Sequence, residues 1–273
     1  MRYLQITIPV ADPSIQEILI ALLPDLGYEG FEQQDSALQA FLPAESFDAA
    51  ALETLLQQYK LSYSSASLEE RNWNEEWEKS FEPVQVDNFC AVRAHFHAPI
   101  SGVTHELVVT PKMSFGTGHH ATTYMMLQAM QHLDFQQKNV LDFGTGTGVL
   151  AILAEKLGAA SVLAIDNDDW SIENARENIT ENKSLTVLAE KMDKIPQDRN
   201  FDVILANINK HVLLSEMRSI GQQLTKGGVI LLSGLLENDF EAIENEAQIN
   251  NLSISERMTK GSWICLKAQK RPK

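Results

Sequence analysis

The segment Asp142-Phe143-Gly144-Thr145-Gly146-Thr147-Gly148 places three glycines between an apolar run at 139–143 and another at 149–157. Strand, glycine turn and helix in that order can seat a ligand. Glycine lets backbone approach it closely, and a helix N-terminus offers amide N–H groups. The dinucleotide spacing G-x-G-x-x-G would need glycine or alanine at position 149, which is Val149. Asp166 stands 22 residues after Gly144 at the end of the next strand-like run, where a carboxylate can accept hydrogen bonds from both hydroxyls of a ribose. That feature suits a nicotinamide enzyme as well as any other nucleoside binder.

Two further segments carry chemistry. Asn207-Ile208-Asn209 closes the fourth strand of the same region, and a carboxamide beside a backbone carbonyl can accept hydrogen bonds from a neutral amine. Upstream, residues 111–123 (P-K-M-S-F-G-T-G-H-H-A-T-T) form a second glycine-rich loop with Phe115, Gly116 and Thr123. One of its histidines, His119 or His120, could accept a proton, and the residues leave the choice open. His95 and His97 share a face of a predicted strand, but no third ligand stands at metal spacing, so no metal is expected. No Ser-His-Asp or Cys-His arrangement presents itself.

From residue 139 onward, strands alternate with helices. Strands are predicted at 139–143, 161–166, 185–189, 201–207 and 229–233, with helices at 149–157, 171–182, 210–224 and 239–249 between them. Gly227-Gly228 is read as a turn, and strands at 252–257 and 262–268 form a closing hairpin. The expected fold is α/β, a mostly parallel seven-stranded sheet with an antiparallel edge hairpin. Residues 1–65 read as β-α-β-β-α-β, with strands at 2–10, 28–33, 37–42 and 61–68 and a second helix at 46–60; that is a small α+β, ferredoxin-like unit. Trp73, Trp77 and Phe81 lie four apart and predict a connecting helix over 66–83. Strands at 84–92 and 105–110 then open the third segment, 84–273.

Composition narrows the functions open to such a chain. Against 22 Lys+Arg stand 37 Asp+Glu, a formal charge of −15, which opposes direct nucleic-acid binding and favours a basic partner. Only Cys90 and Cys265 occur, so no disulfide framework is expected, and no apolar run is long enough for a membrane span. With no signal peptide visible, the chain reads as cytoplasmic.

The spacing G-x-G-x-G after Asp142 resembles the first motif of class I S-adenosylmethionine-dependent methyltransferases. Asn207-Ile208-Asn209-Lys210 resembles the Asn-Pro-Pro-aromatic loop of enzymes that methylate nitrogen, with Ile208 and Asn209 for the prolines and Lys210 for the aromatic. These departures suit a flexible alkyl amine better than a stacked planar base. Together, F-G-T-G-H-x-x-T-T, D-F-G-x-G-x-G, a strand-end aspartate and Ala206-Asn207-Ile208 closely resemble the bacterial methyltransferase of large-subunit ribosomal protein eleven over nearly the whole chain. His120-Ala121 stands where that loop more often has histidine and proline.

The resemblance implies a Rossmann-like catalytic domain, an N-terminal domain that holds the protein substrate, and trimethylation of lysine side chains and an N-terminal α-amine. It places Thr123, Gly144, Asp166 and Asn207 on contacts to S-adenosylmethionine, whose product is S-adenosylhomocysteine. Gly146, Gly148, Phe115 and Gly116 complete the expected cofactor set, with Asn207, His119 and His120 as candidate catalytic residues. The acidic charge points to a free ribosomal protein, before assembly, as substrate. Other readings are a nucleic-acid or other amine N-methyltransferase, a non-catalytic S-adenosylmethionine-binding module, and a nicotinamide enzyme.

Overall fold

Leu4, Ile6 and Ile8 alternate with polar neighbours, and Tyr3–Pro9 is accordingly a strand, β1, with Ile6 and Ile8 wholly buried. The protein is seen in a computed structural model that describes residues 3–68, 81–112 and 115–271. Contacts divide it into two units, Met1–Ser80 and Phe81–Lys273.

In the first unit α1 (Pro13–Leu22) starts at Asp12, whose carboxylate accepts from the Ser14 amide at 2.9 Å. β2 (Gly30–Gln33) and β3 (Ala37–Pro43) follow, then α2 (Ala49–Gln57), capped by Asp48, and β4 (Ser64–Leu68). The sheet runs β2-β3-β1-β4 with every neighbouring pair antiparallel. Each helix therefore joins two strands that lie either side of a third, the split βαβ arrangement. Leu19, Leu23, Leu52 and Leu56 close the core over Ile6, Ile8, Leu38 and Leu42.

The second unit opens with a small sheet, β5 (Val84–Val86), β6 (Cys90–Ala94) and β7 (His105–Val109), in that order. α3 (Ala121–Met130) leads to β8 (Asn139–Phe143), α4 (Val149–Lys156), β9 (Ser161–Asp166), α5 (Asp169–Glu181) and β10 (Val187–Lys191). β11 (Phe201–Asn207), α6 (Lys210–Gln223), β12 (Leu224–Leu236), α7 (Phe240–Ile249), β13 (Leu252–Lys260) and β14 (Trp263–Lys270) complete it. The sheet order is β10-β9-β8-β11-β12-β14-β13, parallel except that β14 is antiparallel to both its neighbours.

Strands buried on both faces must be apolar at odd and even positions alike. Val203 and Leu205 accordingly join the core beneath α3 and α4, while Ile204 and Ala206 join the one beneath α6 and α7. Among the described residues no helix is long and apolar enough to cross a membrane.

Several local expectations change. The run at 84–92 is two antiparallel strands, because the chain reverses at 87–89 with Asp87 at φ 46°. His95 and His97 lie in a turn rather than on a strand, where His97 Nδ1 accepts from the Ala94 amide at 3.2 Å. Pairing to β11 continues on both sides of Gly227-Gly228, which lie within β12 at a register shift between Phe201 and Val203, with Gly227 at φ +74°. Of the connecting helix at 66–83, 66–68 is strand and 81–83 is not helical; residues 69–80, with Trp73 and Trp77, lie outside the described residues.

Candidate functional site

Strand order reverses between β8 and β11: the chain runs outward from β8 through β9 to β10, then returns to β11 on the other side. A crevice opens at such a point above the carboxyl ends of the two strands. The glycine turn follows β8 and Asn207 ends β11, so both stand at this crevice.

Every amide of the turn has an acceptor within the protein. Gly144 and Thr145 N–H both donate to the Ile165 carbonyl at 2.9 Å, Thr147 N–H to Phe115 O at 3.0 Å, and Gly148 N–H to Thr145 O at 2.9 Å. Gly146 N–H donates to Asp166 Oδ2 at 3.0 Å. The turn thus presents a close surface rather than the free amides expected of a helix N-terminus. A pyrophosphate would have no free donors among these five, which counts against the dinucleotide reading. A nucleoside without phosphate needs none of them.

Two glycines are also where loops meet. A Cβ on Gly144 would stand 2.1 Å from Ile208 Cγ2, and one on Gly146 would stand 2.2 Å from the Phe115 carbonyl oxygen. The turn therefore touches the Asn207 loop on one side and the second glycine-rich loop on the other. That second loop is held further by Thr147, whose hydroxyl donates to Gly116 O at 2.8 Å.

Asp166 accepts from Gly146 N–H and, through Oδ1, from Asp168 N–H at 3.2 Å. A carboxylate has about four lone-pair sites, so two remain to receive the hydroxyls of a ribose. Asp142 lies wholly buried beneath the turn, with the Thr145 hydroxyl donating to it at 2.6 Å. Burial pushes its carboxyl up to about 7, against the pull of the Thr145 hydroxyl and the Ala151 amide, and the Asp166 carboxylate adds to the rise. Between the ordinary 3.8 and about 7 the folded protein keeps this proton while the unfolded chain releases it. The contribution of Asp142 to stability therefore falls as pH rises through that window.

Asn207 is 9% exposed, and its Nδ2 donates to Thr123 Oγ1 at 3.1 Å. Its Oδ1 is buried without a hydrogen-bond partner. Such a group costs about 1–3 kcal/mol when left unmet, so it marks a place for a donor. Ile208 N–H donates to Ser233 O at 3.1 Å, and Asn209 caps α6 by accepting from Val212 N–H at 3.1 Å. Lys210 pairs with Asp239 at 2.9 Å. The residues standing where the resemblance has prolines and an aromatic thus have structural partners of their own.

The two loop histidines have partners within the protein. His119 Nε2 faces the Glu82 carbonyl at 2.8 Å and must donate, which leaves Nδ1 to accept from the Thr117 hydroxyl at 3.1 Å. His120 is the N-cap of α3, with Nδ1 3.3 Å from Thr122 N–H and 2.8 Å from the Thr122 hydroxyl. His119 thus has both ring nitrogens held within the protein, and His120 has Nδ1 held at the start of α3. His120 also stands edge-on to Phe115 and to Trp263, with ring centroids 5.1 and 4.6 Å away. Trp263, on the edge hairpin, was not expected here. Among the described residues no group of His, Cys, Asp or Glu is arranged to hold a metal.

These residues fit a nucleoside cofactor that carries no phosphate, with Asp166 toward its ribose and Asn207 Oδ1 toward a donor beside it. The family model described as "Ribosomal protein L11 methyltransferase (PrmA)" matches residues 8–271. A ribosomal protein L11 methyltransferase of Porphyromonas gingivalis is 40% identical over 259 residues, 92% of this chain and 89% of its own. One of Chlorobaculum tepidum is 39% identical over 241 residues, 84% and 83% of the two chains. The crystal structure of a ribosomal protein L11 methylase from Lactobacillus delbrueckii subsp. bulgaricus matches with a TM-score of 0.66 and 29% identity, over 70% of this chain and 100% of that one. A methyltransferase from Pyrococcus furiosus, 21% identical, shares the fold at a TM-score of 0.52 over 61% of this chain and 90% of its own. By this sequence match over nearly its whole length, and by its fold, the chain belongs to the ribosomal protein L11 methyltransferase family of S-adenosylmethionine-dependent enzymes.

Proposed function

We propose that the protein methylates lysine side-chain and N-terminal amines of the large-subunit ribosomal protein L11, using S-adenosylmethionine. The observation that carries this reading is the unpartnered Oδ1 of Asn207, buried at the crevice beside the glycine turn. An amine N–H donated to that oxygen would leave the nitrogen lone pair directed away from Asn207 and into the crevice. Thr123, by accepting from Nδ2, fixes which way the carboxamide faces. When bound, the cofactor supplies an electrophilic methyl group on a sulfonium, taken by the amine nitrogen as the carbon–sulfur bond breaks to leave S-adenosylhomocysteine.

A lysine ammonium ordinarily loses its proton near 10.4, and burial lowers that value by disfavouring the charge. In this reading neither loop histidine serves as the base, and the amine arrives neutral. Positioning then supplies most of the rate. Asp166, Gly144, Gly146, Gly148, Phe115, Gly116 and Thr123 form the proposed cofactor and loop contacts.

The charge of −15 supports a free, lysine-rich ribosomal protein as the preferred substrate, since ribosomal RNA would repel this chain. Mass spectrometry of free L11 and of ribosomes lacking the modification, each incubated with methyl-labelled S-adenosylmethionine, tests both parts. Label on amines of free L11 is expected, at a faster initial rate than on ribosomes. No label on any L11 amine would exclude the activity.

None of the proposed cofactor residues lies in the N-terminal unit, which is proposed to hold the substrate. Removing residues 1–80 is expected to leave the affinity for S-adenosylhomocysteine unchanged. Methylation of intact L11 should fall by about 100-fold or more, the equivalent of losing about 3 kcal/mol of docking. Calorimetry and initial rates read the two effects, and full activity of the truncated protein would remove the docking role.

A further inference from the structure

Three asparagines, Asn174, Asn178 and Asn182, lie four apart along one face of α5 and its C-cap, and the crevice chemistry makes no use of them. Asn182 accepts from Val108 N–H at 3.0 Å and donates to Val108 O at 2.6 Å; Asn174 donates to Thr110 O at 3.2 Å. These bonds only join the helix to β7 and the residue beyond it. Asn178 does more. Its Oδ1 accepts from Thr110 N–H at 2.7 Å, and its Nδ2 donates to the Thr147 carbonyl in the glycine turn at 2.8 Å. It is wholly buried.

Thr147 in turn holds the second loop, through its amide to Phe115 O and its hydroxyl to Gly116 O. A ring therefore closes: from Thr110 along the chain to Phe115, across to Thr147, and back through the Asn178 carboxamide. Its members belong to both glycine-rich loops. We infer that Asn178 is a positioning residue for methyl transfer, one that fixes the spacing of the two loops on either side of the transferred group. The inference rests on the reading that these loops seat the cofactor and frame the amine.

Two substitutions separate positioning from general stability. Asn178→Ala breaks the ring, whereas Asn182→Ala deletes two part-buried bonds to Val108 and one to the Asn178 carbonyl and leaves the ring intact. Both are compared with the wild type at a temperature well below their melting points, with saturating S-adenosylmethionine. Wild-type binding of S-adenosylhomocysteine, measured first by calorimetry, reports on the cofactor reading itself; its absence would overturn that reading and this inference with it.

Given binding, Asn178→Ala is expected to lose about 10- to 100-fold in kcat, the scale of a small misplacement of reacting groups, with KM for the ribosomal protein little changed. Asn182→Ala is expected to keep kcat within about twofold, since its carboxamide touches neither loop. Equal kcat losses in both variants, or an unchanged kcat in Asn178→Ala, would overturn the inference. If Asn178→Ala does not fold, Asn178→Leu decides, because it fills the same volume while removing both the acceptor for Thr110 N–H and the donor to the Thr147 carbonyl. A kcat within twofold of wild type there would overturn the inference, and a loss like that expected of Asn178→Ala would uphold it.

Discussion

Alanine in place of Asn207 is expected to lower kcat by about 100- to 1,000-fold, the usual cost of removing one preorganised polar partner from a reacting centre. The substitution deletes the buried, unpartnered Oδ1 and the Thr123 contact that orients it. Affinity for S-adenosylhomocysteine should change far less, because Asp166 and the glycine turn are untouched. Asn207→Asp adds a second reading. A carboxylate would favour the charged ammonium and raise its pKa, so activity should reappear only as pH rises. Steady-state rates with separate kcat and KM, taken from pH 7 to pH 10, read both effects. An alanine variant that kept more than a third of the wild-type kcat would show that Asn207 does not hold the amine.

Gly146→Val is expected to eliminate detectable binding of S-adenosylhomocysteine while leaving a folded protein. Its Cβ would stand 2.2 Å from the Phe115 carbonyl oxygen, and a backbone atom cannot rotate away as a side chain would. The residue also sits at φ +54°, where a β-branched side chain is strained by about 1–3 kcal/mol. Relief requires the turn and the second loop to separate, opening the Thr147 and Asp166 bonds on which the crevice depends. Gly102→Ala is the control, since Gly102 has φ +85° and nothing within 4 Å of its Cβ position. Circular dichroism should be native for both variants, and calorimetric titration should fail only for Gly146→Val. Wild-type affinity in that variant would mean the cofactor does not depend on this loop contact.

What could be read from residue order was whatever depends on near neighbours. The predicted bounds of β8, β9 and β11 match the structure because each is apolar on both faces and bounded by polar or glycine residues. The run at 84–92 misled because Asp87-Asn88 interrupts apolar residues by only two positions, yet Asp87 takes the positive φ that reverses the chain. Gly227-Gly228 reads by residue type as a break before a strand, whereas pairing to β11 resumes on either side of it, which residue types alone do not show.

At the site the residue types were visible and their partners were not. Nothing local says that all five amides of the turn find protein acceptors, or that His120 spends Nδ1 on capping a helix. The asparagines of α5 do show a four-residue spacing, but that reads equally as a solvated helix face. Their partners outside the helix are 31 to 74 positions away along the chain, beyond the reach of any periodicity.

The same three side chains have an effect on solubility. β7 borders the small sheet, and a bordering strand ordinarily leaves a row of N–H and C=O groups ready to pair with a strand from another molecule. On this edge the backbone groups of Val108 and Thr110 are all taken by carboxamides from α5, which imitate peptide groups closely enough to stand in for a fourth strand. A helix thus finishes a sheet without adding to it. An extended polypeptide cannot join that border at these positions, and the edge is sealed there by the element that also steadies the glycine turn.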